Sequence, residues 1–320
     1  MRTRVTMCGA VFALLLWGPL AALEVQVSGP GPNGRWPLQP GSPGSRTLAP
    51  FMEGWYENED GSFSISFGYL NLNEETLEIP IGENNFIEPA EFDGMQPTVF
   101  TPGHQRGLFT ANLPAVMSDQ NVVWTLRKAN GDVTSVPGRV TSNAYQLDWI
   151  PRPHGSVTPV VSFDSQRGEG RGPPGIAAER TLTTSVGSPL TVSINVREVS
   201  ERDRADFRFF EPLTLQVVWS KHQGPVGGQV EFTRHESTPI PEEPEEGRRG
   251  GGGGGDRGSP PGPETITVPD DVQSTVRVVA TFSEPGEYML LGQVNNHRAP
   301  DSSSGSQCCW TNAYVRVTVR

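Results

Sequence analysis

The feature that most constrains this chain is the two-residue alternation of apolar side chains, repeated in short runs from residue 63 onward. Val276, Val278, Ala280 and Phe282 alternate with polar or exposed-type residues. A Ser283-Glu284-Pro285-Gly286-Glu287 turn follows, and Tyr288, Leu290, Gly292 and Val294 alternate again. Period two places successive side chains on opposite faces of a strand, so each run buries one face and wets the other. No stretch carries the i, i+3, i+4, i+7 pattern of an amphipathic helix. With 37 Gly and 30 Pro in 320 residues, the composition suits many short strands joined by turns. The chain therefore reads as all-β, with two tandem antiparallel β-sandwich domains.

The first domain is expected over residues 51–150. Phe63, Ile65, Phe67 and Tyr69 alternate with Ser64, Ser66 and Gly68. Leu77, Ile79 and Ile81 form a run that Pro80 pushes to a sheet edge. Further strands are expected at 98–100 and 108–113, and another carrying Val122, Trp124 and Leu126. That strand turns at Asn130-Gly131, a strong hairpin signal, and returns near Val133. Residues 151–180 are expected to be a linker because of Gly168, Gly170, Gly172, Pro173, Pro174 and Gly175. The second domain is expected over 181–320. Its strands carry Leu190 to Val196, Leu213 to Trp219, Val230 to Phe232, Ile266 to Val268, the pair described above, and Ala313 to Val319. An acidic and Gly-rich loop at about 236–263, with six glycines from Gly250 to Gly255, is expected to be disordered.

The start of the chain reads as an export signal over residues 1–22. Arg2 and Arg4 precede the apolar run Val11 to Trp17, and Ala21 and Ala22 are small enough for cleavage. The apolar run is too short for a membrane span. Residues 23–50, rich in Gly, Pro and Ser and without periodicity, read as a disordered arm. The expected location is secreted or periplasmic, with no transmembrane anchor. A formal charge of −11 argues against a nucleic-acid partner, because phosphate backbones are held by basic stripes. The expected partner is an extracellular or periplasmic protein or a carbohydrate.

The segment Val217-Val218-Trp219-Ser220-Lys221-His222-Gln223-Gly224-Pro225, then Val230-Glu231-Phe232, then Thr281-Phe282-Ser283-Glu284-Pro285-Gly286-Glu287-Tyr288-Met289-Leu290, resembles the Ig-like domains of the polycystic-kidney-disease (PKD) type. The resemblance covers about residues 185–320. It implies an Ig-like sandwich that acts as a spacer or binding module of a secreted protein, with no active site. Two departures stand out. Asn295-Asn296 replaces the Asp-Gly of that family after the Tyr strand, and the loop between residues 235 and 264 is longer. The first domain is loosely similar to exported bacterial proteins of uncharacterised function.

Few residues offer chemistry. Cys308 and Cys309 are adjacent, and Cys8 lies in the export signal. Neighbouring Cα atoms stand about 3.8 Å apart, less than the roughly 4.4 Å of ordinary disulfides, so a bond between them would be strained and reducible. In a regular strand the two thiols would face opposite ways instead, one packed and one exposed. A vicinal disulfide, a pair of structural thiols and a soft-metal site all remain open. Glu57, Asn58 and Asp60 form an oxygen-rich tip that is a weak calcium candidate, although Asp60-Gly61 also reads as a plain turn. No other cofactor is expected. His235-Glu236 lacks the second His of a zinc-protease helix, and Pro239 forbids that helix. His104, His154, His222, His235 and His297 have no metal spacing. No Gly-x-Ser-x-Gly elbow exists. Trp149 beside Pro151 and His154 is a candidate sugar platform, or simple packing. Every acidic residue reads as lying on a turn or strand edge, hence wet and unshifted. No catalytic residue emerges, and the chain reads as non-catalytic. Two alternatives are a hydrolase or metal-dependent enzyme with a loop-borne site, and a redox or copper protein using Cys308 and Cys309.

Overall fold

A computed structural model describes residues 46–141, 143–147, 157–201, 203, 205, 214–238, 265–269, 274–296 and 310–320, all within one compact unit, Gly41–Arg320. The segment read as an export signal, most of the segment read as an arm, the Gly-rich stretch from residue 239, Trp149, His154, His297, Cys308 and Cys309 lie outside the described residues.

The described residues are all-β, with three short 3₁₀ turns. The first module contains β1 (Leu48–Glu57), β2 (Phe63–Asn71), β3 (Leu77–Glu78), β4 (Asn85–Glu88), β5 (Val99–Phe100), β6 (Gly103–Leu113), β7 (Val122–Arg127) and β8 (Val133–Gly138). They form the sheets β1-β2-β6 and β4-β7-β8 and a small pair, β3-β5, with antiparallel pairing throughout. The alternating side chains supply the core: Ile65, Phe67, Phe100, Phe109 and Leu126 pack around Trp124. Phe109 meets the Trp124 ring edge-on, with centroids 5.1 Å apart. The indole N–H, which burial would otherwise strand, donates to Asn85 Oδ1 at 3.0 Å. Asn85 in turn donates to the carbonyls of Ile79 and Pro97. One buried amide thus joins β4, β7 and the loop leading to β5.

The second module contains β9 (Val160–Ser162), β10 (Ile176–Ala177), β11 (Leu182–Thr184), β12 (Leu190–Arg197), β13 (Thr214–Gln223), β14 (Val230–Arg234), β15 (Thr265–Pro269), β16 (Ser274–Phe282), β17 (Gly286–Asn295) and β18 (Trp310–Val319). One sheet runs β10-β18-β17-β13-β15, with β11 also on β18; the other runs β14-β16-β12-β9. Val192, Ile194, Val217, Trp219, Phe282, Leu290 and Val315 fill the space between them. The Pro285-Gly286 turn does not close a hairpin. It carries the chain from β16 in one sheet to β17 in the other, which is how a sandwich is laced.

The expected strands are present, with differences at the boundaries. β1 starts at Leu48, inside the segment read as an arm. The segment read as a linker contributes β9, whose Val161 is fully buried, and β10, which pairs in parallel with β18. Its glycines serve close packing. At Gly175, with φ of +55°, a Cβ would strike the Asn312 carbonyl, so only glycine lets the chain lie this near β18. The Asn130-Gly131 hairpin joins β7 and β8 as expected, with Gly131 N–H donating to Lys128 O.

Candidate functional site

Among the described residues, a dense set of specific contacts lies where the two modules meet. On β17 and β18 the outward residues Met289, Leu291 and Tyr314 are buried against Met95 and Leu108 of the first module. The strands flanking this patch place polar groups beside it. Asn312 Nδ2 donates to Gly107 O at 2.6 Å and to Pro173 O at 3.0 Å. Tyr314 Oη donates to Leu108 O at 2.8 Å, and burial drives its phenol far above its ordinary value.

A second cluster forms at the end of β13. His222 is buried, and its Nε2 lies 2.7 Å from Met95 O. Burial pushes this imidazole down to about 4, so it is neutral near pH 7 and donates that proton to the carbonyl. Gln223 Nε2 donates to the carbonyls of Gly94 and Gln96, while Thr98 N–H donates to His222 O. Lys221 Nζ donates to Glu78 Oε1 at 2.7 Å and to the carbonyls of Pro225 and Gly228. The other oxygen of Glu78 accepts the Gly227 amide. The Lys221–Glu78 pair is mostly shielded from water and fully hydrogen-bonded, the condition under which a buried pair holds geometry.

The first module presents Gly107 and Leu108 through two bulges. On β1, Glu53 is the extra residue between Met52 and Gly54. On β6, residues 106 to 108 oppose a single residue of β2. The Glu53 carboxyl spans β2: Oε2 accepts the Gly107 amide and Ser66 Oγ. Its Oε1 is shut off from solvent without a hydrogen-bond partner. Gly107 stands at φ of +53°, with the Trp310 ring where a Cβ would go. The bulges therefore aim the Gly107 carbonyl at Asn312 and Leu108 at the apolar patch.

Glu53 corrects the expectation that every acidic residue is wet and unshifted. Desolvation raises its carboxyl to about 8, against the lowering effects of the Gly107 amide and the nearby Arg106 charge. A shifted carboxyl is also how catalytic acids present themselves. Here one oxygen braces backbone, and no group of three His, Cys, Asp or Glu side chains forms among the described residues. The signal in the sequence was faint: a lone Glu between Met52 and Gly54 in a strand of irregular pattern.

At the calcium candidate, Asp60 Oδ1 accepts both the Ser62 amide and Ser62 Oγ, and these bonds hold its carboxyl below the usual range. Asn58 Nδ2 donates to Ser62 and Ser64. Asp60 and Asn58 thus serve the turn into β2, and Glu57 is exposed. At the departure from the PKD pattern, Asn296 is buried and donates to Val157 O and Glu198 Oε2. No helix among the described residues is long and apolar enough to cross a membrane.

No protein-family model matches the chain, and no curated protein matches it. Among solved structures, the D0-D1 domain of Intimin aligns over 84% of this chain and 97% of its own at 11% identity, with a TM-score of 0.23. The D00-D0 domain of Intimin aligns over 85% of this chain and 100% of its own at 10% identity, with a TM-score of 0.22. Scores this low carry no inference about ligand or activity.

Proposed function

We propose that this chain is an exported, non-catalytic β-sandwich protein whose two modules act as one rigid binding or spacer unit, the second module being of the PKD type. The observation that carries this reading is the double burial of β17 and β18. A sandwich strand normally wets its outer face, and here much of that face is covered by the other module through Tyr314, the Asn312 bond to the Gly107 carbonyl and an aliphatic patch. Rigid coupling suits a part that holds a binding surface at a set distance, and residues 1–22, with Arg2 and Arg4 ahead of an apolar run, support a location outside the cytoplasm. Its partner is an extracellular or periplasmic protein or a carbohydrate.

Pulsed electron–electron resonance tests the rigidity. Spin labels at exposed Val133 and Val226, in a chain whose Cys308 and Cys309 are replaced by serine, should give one narrow distance distribution. A broad or bimodal distribution would defeat the rigid-unit reading. Intact mass of the exported product should show cleavage near Ala22; an uncut leader would defeat the export half.

A further inference from the structure

We infer that the free half of β12 is a strand-addition site for an extended peptide that alternates aliphatic and acidic residues. β9 pairs only with the end of β12, with Ser162 opposite Asn195, Val161 opposite Val196 and Val160 opposite Arg197. Continued in register, Phe163, Asp164 and Ser165 would lie opposite Ile194, Ser193 and Val192. The chain turns away instead: Gln166 N–H donates to Phe163 O, and Gln166 Nε2 reaches Ala177 O. Among the described residues, no strand takes up the β9 side of Leu190–Ile194. That leaves an unpaired edge of about 17 Å at the usual rise per residue.

Behind the edge lies a cavity of about 220 Å³. Phe163, Ala178, Leu182, Val192 and Val315 line it, and it opens between the two sheets. Buried apolar walls beside an unpaired edge are the two halves of a strand-addition site, because backbone bonds supply affinity and the pocket selects alternate side chains. The volume suits one or two aliphatic side chains and is small for an aromatic pair. The charge at the mouth selects what lies between them. Arg180 is exposed at the rim and forms no ion pair among the described residues. Asp164, the acid beside it, already accepts Asn195 Nδ2 at 2.6 Å. A strand laid along Leu190–Ile194 with valine-like residues inward would bring its outward or flanking carboxylate to Arg180.

This site rests on the reading of the chain as a binding unit and gives that unit a ligand class. The probe is a capped heptapeptide alternating valine with glutamate, titrated into the full chain and followed by amide chemical shifts. Saturable binding with shifts at Thr191 and Ser193 is expected. A peptide N-methylated at alternate amides should bind at least tenfold more weakly, which a merely greasy contact would not show. Ala178→Phe fills the cavity and should abolish binding. Arg180→Glu, at an exposed position that leaves the core alone, should reverse the preference from the glutamate peptide to its lysine counterpart. Absence of binding at millimolar peptide, or binding indifferent to N-methylation and to Arg180→Glu, would overturn the site. Concentration-dependent dimerisation blocked by Ala178→Phe would also overturn it, by making a second copy the occupant. Failure here with a narrow spin-label distance would leave the rigid unit standing.

Discussion

β16 and β18 belong to the same sandwich and share the same apolar alternation, yet they live in different surroundings. On β16, Val276, Val278, Ala280 and Phe282 are buried, while on the outward face Thr275 is exposed and Arg277, Val279 and Thr281 are partly exposed. On β18, Thr311, Asn312, Ala313 and Tyr314 are all buried in succession. The inward set obeys the same rule in both strands. The outward residues Asn312 and Tyr314 at the start of β18 are polar in sequence but sealed in structure, and the Asn312 amide N–H groups and the Tyr314 hydroxyl are answered by carbonyls, whereas Arg316 further along is exposed. Polarity on a strand therefore marks a need for a hydrogen-bond partner: on β16, Thr275 finds the partly exposed side chain of Asn195 in its own sheet, and on β18, Asn312 and Tyr314 reach Gly107 and Leu108 of the neighbouring module.

A charge set into the covered side should separate the two strands most sharply. Leu291→Asp places an unpaired carboxylate against Met95 and Leu108 and should cost about 4 kcal/mol. Thr281→Lys on the open face of β16 should stay within about 0.5 kcal/mol. Thermal melts of the two variants check this, and similar losses would erase the distinction. Gly107→Ala comes next. It imposes a strained φ and drives Trp310 from its seat, at about 2–3 kcal/mol. Because the damage falls at the interface, labels at Val133 and Val226 should also show a broader distance.

Tyr314→Phe is smaller. It leaves the buried Leu108 carbonyl without its donor, while Asn312 Nδ2 keeps the Gly107 and Pro173 carbonyls, and about 1–2 kcal/mol should be lost in chemical denaturation.

Protonation sharpens the comparison with opposite slopes. Glu53, whose folded value is raised from 4.5 to about 8, contributes stability that is complete below pH 4.5 and lost as pH rises through 8. Glu53→Gln should therefore flatten the fall in melting temperature between pH 5 and 8; an unchanged slope would show that the carboxyl is not desolvated. His222, depressed from 6.5 to about 4, contributes stability present above pH 6.5 and lost as pH falls through 4. The smallest effect is at the β1–β2 tip. Asp60 is already engaged by Ser62, so millimolar calcium is expected to leave the melting temperature unchanged, and a clear upward shift would restore the metal reading.

Much of this architecture can be read from the residues. The inward strands, the Asn130-Gly131 turn and the order of the second sandwich follow from period two and turn chemistry, since both act over a few neighbouring residues. Several parts are not local and stay hidden. β1 carries a bulge that breaks its alternation at Glu53. β10 and β11 are short because they borrow most of their order from β18. Gly172 and Gly175 read as flexible, although Gly175 is glycine because β18 passes too close for a side chain. The interface residues His222, Gln223 and Asn312 could not be told from wet polar residues, because their partners lie more than 125 positions away. Asn312 and Tyr314 did carry one usable hint, an asparagine and a tyrosine sharing one face of a terminal strand.

Differential scanning calorimetry of the full chain tests the coupling of the modules most directly. If β17 and β18 are sealed by the first module, the chain should melt in one transition whose calorimetric and van't Hoff enthalpies agree, and Leu291→Asp should split it in two. Two independent transitions in the unaltered chain, unmoved by Leu291→Asp, would contradict the account.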